Sequence, residues 1–125
     1  MRGRPGERGF TLIELIMVIV ILAILLALAL PGYLSTRKKA YLAEAQQTLQ
    51  EMRQAAWQHY VEKLTFSGVA VSVEPTDNWS FGYSECGDDQ CTMIASGQPG
   101  SPVADATVIV TLYYTGAASV VSSGF

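Results

Sequence analysis

The stretch Arg8–Tyr33, RGFTLIELIMVIVILAILLALALPGY, decides the fold. From Leu15 to Leu30 it holds no charged or strongly polar side chain, yet Glu14 stands near its start, four residues after Phe10. An α-helix rises about 1.5 Å per residue, so Phe10–Leu30 as a helix is about 31 Å long, the depth of a bilayer's hydrocarbon core. A carboxylate at that depth costs free energy until something pairs with it. The run is longer than the apolar core of a secretory signal. It ends in Leu30-Pro31-Gly32-Tyr33, not in a small-residue cleavage site, so the sequence predicts a helix that is retained.

Working outward, charge is distributed unevenly. Arg2, Arg4, Glu7 and Arg8 form a basic leader, and Arg37, Lys38 and Lys39 follow the apolar run. Beyond Lys39 stand nine acids against only Arg53 and Lys63, so the rest of the chain carries a charge of about −7. Such a surface repels phosphate backbones, and direct nucleic-acid binding is not expected. Only 15% of the 125 residues are charged, below the roughly 25% of a soluble domain. The length leaves room for one membrane-length helix and one small head.

After Gly32 a helical pattern resumes. Leu42, Ala45, Leu49, Met52, Ala56 and Tyr60 recur at spacings of three and four, with Glu, Gln and Arg between them. We read one helix from about Phe10 to Leu64, bent near Pro31, where the ring removes a backbone donor and crowds the preceding turn. Its first half is apolar all round; its second half is amphipathic and suited to packing on a sheet. Residues 65–78 connect, and the alternation of Val69, Val71 and Val73 suggests a short edge strand within them. Trp79, Phe81 and Tyr83 alternate with small residues as a strand does. Gly87–Gln90 supplies turn residues, CTMIAS returns as a second strand, and Ala106–Thr115 is rich in β-branched residues. Ala118–Val121 adds a short final strand. The expected class is α+β: a long N-terminal helix with a small C-terminal antiparallel sheet.

Cys86 and Cys91 are the two cysteines. One distant histidine, His59, does not complete a metal-ligand set with them, and a redox pair is spaced two residues closer. The reading is a disulfide across a tight turn, and hence an oxidising compartment. Closing so short a loop stabilises by about 2 kcal/mol on the chain-entropy model. Basic residues flank both ends of the apolar run nearly equally, so the cysteine pair is what places the head outside. Asp88 and Asp89 read as turn residues before calcium ligands. The aromatic residues Trp57, Trp79, Phe81, Tyr83, Tyr113 and Tyr114 read as core and sheet packing. No P-loop, Gly-rich nucleotide motif or catalytic triad is present, and the chain is expected to be no enzyme and to need no cofactor or metal.

These residues resemble the N-terminus of type IV pilins and of type II secretion pseudopilins: a short basic leader ending in Gly9, then Phe10, Thr11, Leu12, Glu14, a long apolar helix and Pro31. The resemblance implies a processing route. A prepilin peptidase cuts between Gly9 and Phe10 and methylates the new amine of Phe10. Residues 1–9 are then a removed leader, 10–31 a membrane and filament-core helix, and 32–125 a pilin head with half-helix 32–64, connection 65–78 and sheet 79–125. Glu14 is expected to meet the Phe10 amine of a neighbouring subunit and set register, and Pro31 to mark a weak point in the helix. Thr11-x-x-Glu14 also matches a capping box, which competes with that role for Glu14.

The implied function is a structural subunit of a type IV pilus serving motility, adhesion or DNA uptake. It would be an inner-membrane precursor with its head extracytoplasmic, then an extracellular filament. Its partners would be copies of itself, the prepilin peptidase, the membrane and the inner-membrane assembly machinery. A minor pilin or a pseudopilin is the alternative, and a tip adhesin or uptake receptor on the same stalk a more distant one.

Overall fold

The computed structural model describes Gly6 and residues 9–125; Arg2, Arg4, Glu7 and Arg8 of the leader lie outside the described residues. One helix, α1 (Leu12–Lys63), is followed by four strands: β1 (Trp79–Cys86), β2 (Gln90–Gly97), β3 (Thr107–Tyr113) and β4 (Ala118–Ser123). The strands form a single antiparallel sheet in the order β1-β2-β3-β4. Long helix and antiparallel sheet are the α+β arrangement that the sequence predicts. The chain divides into two compact units after Arg37.

In the first unit every described residue is exposed. Leu15, Ile19, Leu22 and Leu26 each leave more than half of their surface open. The segment is long and apolar enough to cross a membrane, and none of its apolar window is buried within the chain. Pro31 and Gly32 lie inside α1, which is helical on both sides of them. The Thr36 hydroxyl donates to the Gly32 carbonyl at 2.8 Å, one turn back.

In the second unit the apolar stripe finds its sheet. Ala45, Leu49, Met52 and Ala56 of α1 are buried, with Leu42 and Tyr60 packed at the margin. They meet the inner-face rows set by strand register: Phe81, Ala95 and Val108; Tyr83, Met93 and Val110; Cys86, Cys91 and Leu112. Trp79 is fully buried, and its indole Nε1 donates to the Tyr41 carbonyl at 3.1 Å. The Tyr83 hydroxyl donates to the Met52 carbonyl at 3.3 Å, and burial pushes its pKa above the ordinary 10.0, keeping it a donor. Not every aromatic side chain joins this core, for Tyr114 on the β3–β4 turn is 55% exposed.

Two polar ties fix the head's connections. Both oxygens of Glu44 on α1 accept from the connection before β1, from Thr76 Oγ1 at 2.7 Å and Asn78 Nδ2 at 3.0 Å. At the other end α1 stops at Leu64, whose N–H still donates to the Tyr60 carbonyl while its φ is +58°. That is the left-handed C-terminal cap usually given to glycine. It turns the chain so that Phe66 buries and stacks on Tyr60, ring centroids 4.6 Å apart.

The expected edge strand at Val69–Val73 is not formed. Val69 and Val73 pack against the core instead, and the sheet ends at β1. Gly97, at the end of β2, lies under the 98–105 loop, where a Cβ would overlap the Val103 carbonyl.

Candidate functional site

Gly9, Phe10 and Thr11 precede the helix in non-helical backbone, so the predicted start at Phe10 moves two residues on, to Leu12. The reason is Thr11, which acts as the N-cap. Its Oγ1 accepts from the Glu14 N–H at 3.3 Å and donates to Glu14 Oε2 at 3.1 Å. The same Oε2 accepts from the Thr11 N–H at 3.1 Å. This is a closed capping box, satisfying two of the amides that a helix start leaves without partners.

The capping reading of Glu14 is therefore realised inside a single chain, and it occupies one carboxylate oxygen. Among the described residues Oε1 accepts nothing. A carboxylate has several lone-pair directions, so capping through Oε2 leaves the other oxygen able to take a cation. The box also holds the side chain at the helix start, within one turn of Phe10.

Gly9 and Phe10 are both exposed, Phe10 at 86%. A Cβ on Gly9 would meet nothing within 4 Å. Nothing in the chain's own packing thus demands a glycine at that position, and any such demand would come from a partner that grips the peptide there. Exposed, non-helical backbone next to a helix is the form in which a peptide bond can be handled by another protein.

The other predicted residues stand elsewhere. Pro31 lies well along α1. Cys86 and Cys91 are direct cross-strand partners at the β1–β2 turn, and they are joined as a disulfide. The turn they close is held from outside as well. The Phe66 N–H donates to the Gly87 carbonyl at 3.0 Å, Thr65 Oγ1 to Asp88 Oδ1 at 2.8 Å, and the Tyr114 N–H to the Asp89 carbonyl at 2.9 Å. Asp88 thus anchors the segment after α1. His59 Nε2 donates to the Ser67 carbonyl at 3.1 Å, a further tie to that segment. Among the described residues no three His, Cys, Asp or Glu side chains are grouped to hold a metal. Sequence reasoning missed the Glu44 clasp and the ties to the turn. Their partners lie far apart in the chain, and no local spacing announces them.

The capped helix start and the apolar helix continuing into an α+β head are features by which the chain resembles prepilin-like proteins of the type IV pilin kind. The comparisons agree: the family described as the prokaryotic N-terminal methylation motif matches residues 4–30. The chain is similar to the type IV major pilin protein PilA of Myxococcus xanthus, 33% identical over 84 residues, 66% of this chain and 38% of that protein. It is similar to the type IV major pilin protein PilE of Neisseria gonorrhoeae, 36% identical over 78 residues, 62% of this chain and 42% of that protein. It is also 49% identical over 49 residues to the prepilin peptidase-dependent protein D of Escherichia coli, 39% of this chain and 34% of that protein. In each case the match spans well under half of the relative's own length. No solved structure matches the chain.

Proposed function

We propose that this chain is a structural subunit of a type IV pilus filament, made as a membrane-anchored precursor. The observation that carries the reading is the exposed, non-helical Gly9–Phe10 junction, set directly before a capped apolar helix that finds no cover in its own chain. In this reading a prepilin peptidase cuts between Gly9 and Phe10 and methylates the Phe10 amine. The apolar segment first sits in the inner membrane, with the head outside. The assembly machinery then transfers it from lipid to the shared core of a filament, where burial of Ile and Leu side chains against neighbouring helices supplies the cohesion.

Cleavage places a positive amine at Phe10. In the filament the Glu14 carboxylate of one subunit pairs with the Phe10 amine of the next. A charge at the centre of a bilayer costs about 2.5–3.5 kcal/mol on insertion scales, and less near a helix end. Bare charges in a packed core cost more, so misaligned neighbours are penalised and the pair sets register. Pro31 removes one backbone hydrogen bond and so marks where α1 most readily bends or loses a turn during packing. Motility, adhesion and DNA uptake are the roles open to such a filament.

Mass spectrometry of sheared surface filaments tests this reading. The expected product begins at N-methylated Phe10. Filaments that retain Gly9, or surface shear fractions without this chain, would refute it.

A further inference from the structure

The two edges of the sheet are treated differently. Natural edge strands are blunted by charge, proline or a bulge, because their free backbone groups invite another strand. The β1 edge carries such devices: a register shift between Tyr83 and Glu85, the charge of Glu85, and the disulfide at its end. The β4 edge carries none. Its pairing with β3 is regular from Thr107↔Ser123 to Leu112↔Ala118, and every β4 residue is exposed. Val120, opposite the buried Val110, is 49% exposed, and Val121 is 61% exposed.

Charge marks the same region. From residue 106 to 125 there is no charged side chain, whereas the rest of the head is strongly acidic. The uncharged area continues across the outer face, where Gly82, Ile94, Ile109 and Val121 form one cross-strand row. Hydroxyl rows flank it: Ser80, Ser96, Thr107 and Ser123 on one side, and Thr92, Thr111 and Ser119 on the other, the latter row reaching Glu85 only at β1.

We infer that the β4 edge, with the adjoining outer face of β3 and β4, is where a second copy of this head docks in the assembled state. The inference rests on the filament reading above. Heads of the same negative sign repel, so close approach between copies is least opposed across surface that carries no acid. The β3–β4 hairpin is the surface that meets this condition and also offers unpaired backbone groups. A filament grows without closing, so β4 meets a different face of the next head rather than another β4.

The test uses the full-length chain. Val121→Glu adds an acid to the β4 edge, and Ser84→Glu adds one to the β1 edge. Both are expected to be processed and to keep the wild-type thermal midpoint in detergent. Filament yield falls about tenfold or more for Val121→Glu and is unchanged for Ser84→Glu. In the unsubstituted chain, amide exchange across 118–123 slows about tenfold or more on going from detergent-solubilised protein to filament. Wild-type assembly of Val121→Glu, or equal exchange at 118–123 in both states, overturns the inference. A wild-type chain that forms no filament overturns the filament reading, and this inference with it.

Discussion

One helix serves two regions under opposite rules. Between residues 12 and 37 its apolar side chains are exposed all round, while between 42 and 60 a narrow apolar stripe is sealed against the sheet. The second region solves its burial problem within one chain, with Trp79, Leu49 and Met52 fully or almost fully buried. The first has more apolar surface and no internal solution. The contrast teaches that the head buries its core within itself. The N-terminal segment instead presents apolar surface that the described residues leave uncovered, which lipid or neighbouring copies would cover in the reading proposed above.

The sharpest way to break that contrast is at Glu14. Glutamine can close a capping box as glutamate does, but it carries no charge. If capping is all that Glu14 does, Glu14→Gln assembles like wild type. If the charge pairs with a neighbouring amine, Glu14→Gln is processed at Gly9–Phe10 but its filament yield falls about tenfold or more, as for Glu14→Ala. Quantifying processed subunit and sheared filament in parallel separates the two outcomes.

Next in size is a paired truncation. Trp79→Ala empties the head's largest buried site and should cost about 3–5 kcal/mol in thermal unfolding of detergent-solubilised protein. Leu22→Ala, at a position 52% exposed, should leave that midpoint in place while loosening filaments. A drop in the monomer's midpoint with Leu22→Ala would show that the N-terminal segment contributes to folding of the head after all. The smallest effect is expected at Leu64, where a left-handed conformation is imposed on a side chain that buries little. Leu64→Gly should stabilise the head by about 1 kcal/mol, read as a higher midpoint.

Sequence alone made the local features legible. The stripe from Leu42 to Tyr60, the strand at 107–113 and the capping box at Thr11 and Glu14 each depend on neighbours within a few residues, so spacing exposes them. The disulfide was readable for the same reason, since five positions separate its cysteines. The Val69, Val71 and Val73 alternation misled because periodicity does not say whether a strand has a partner. The Glu44 clasp stayed hidden because its donors lie 32 and 34 residues away. A glutamate on a polar helix face looks the same whether it meets water or a threonine. At the candidate site the residues were legible but their mutual geometry was not. That Glu14 uses only one oxygen for the cap is a fact of rotamers.

The disulfide-closed turn also bears on how the chain can be labelled. Its carbonyls and Asp88 receive the segment after α1 and the start of the β3–β4 turn, so an insertion there would cut three connections at once. The exposed Val71–Ser72 stretch has no comparable moorings and leaves the sheet's hydrogen bonding untouched. An epitope or dye placed at Ser72 is expected to leave the fold that carries it undisturbed.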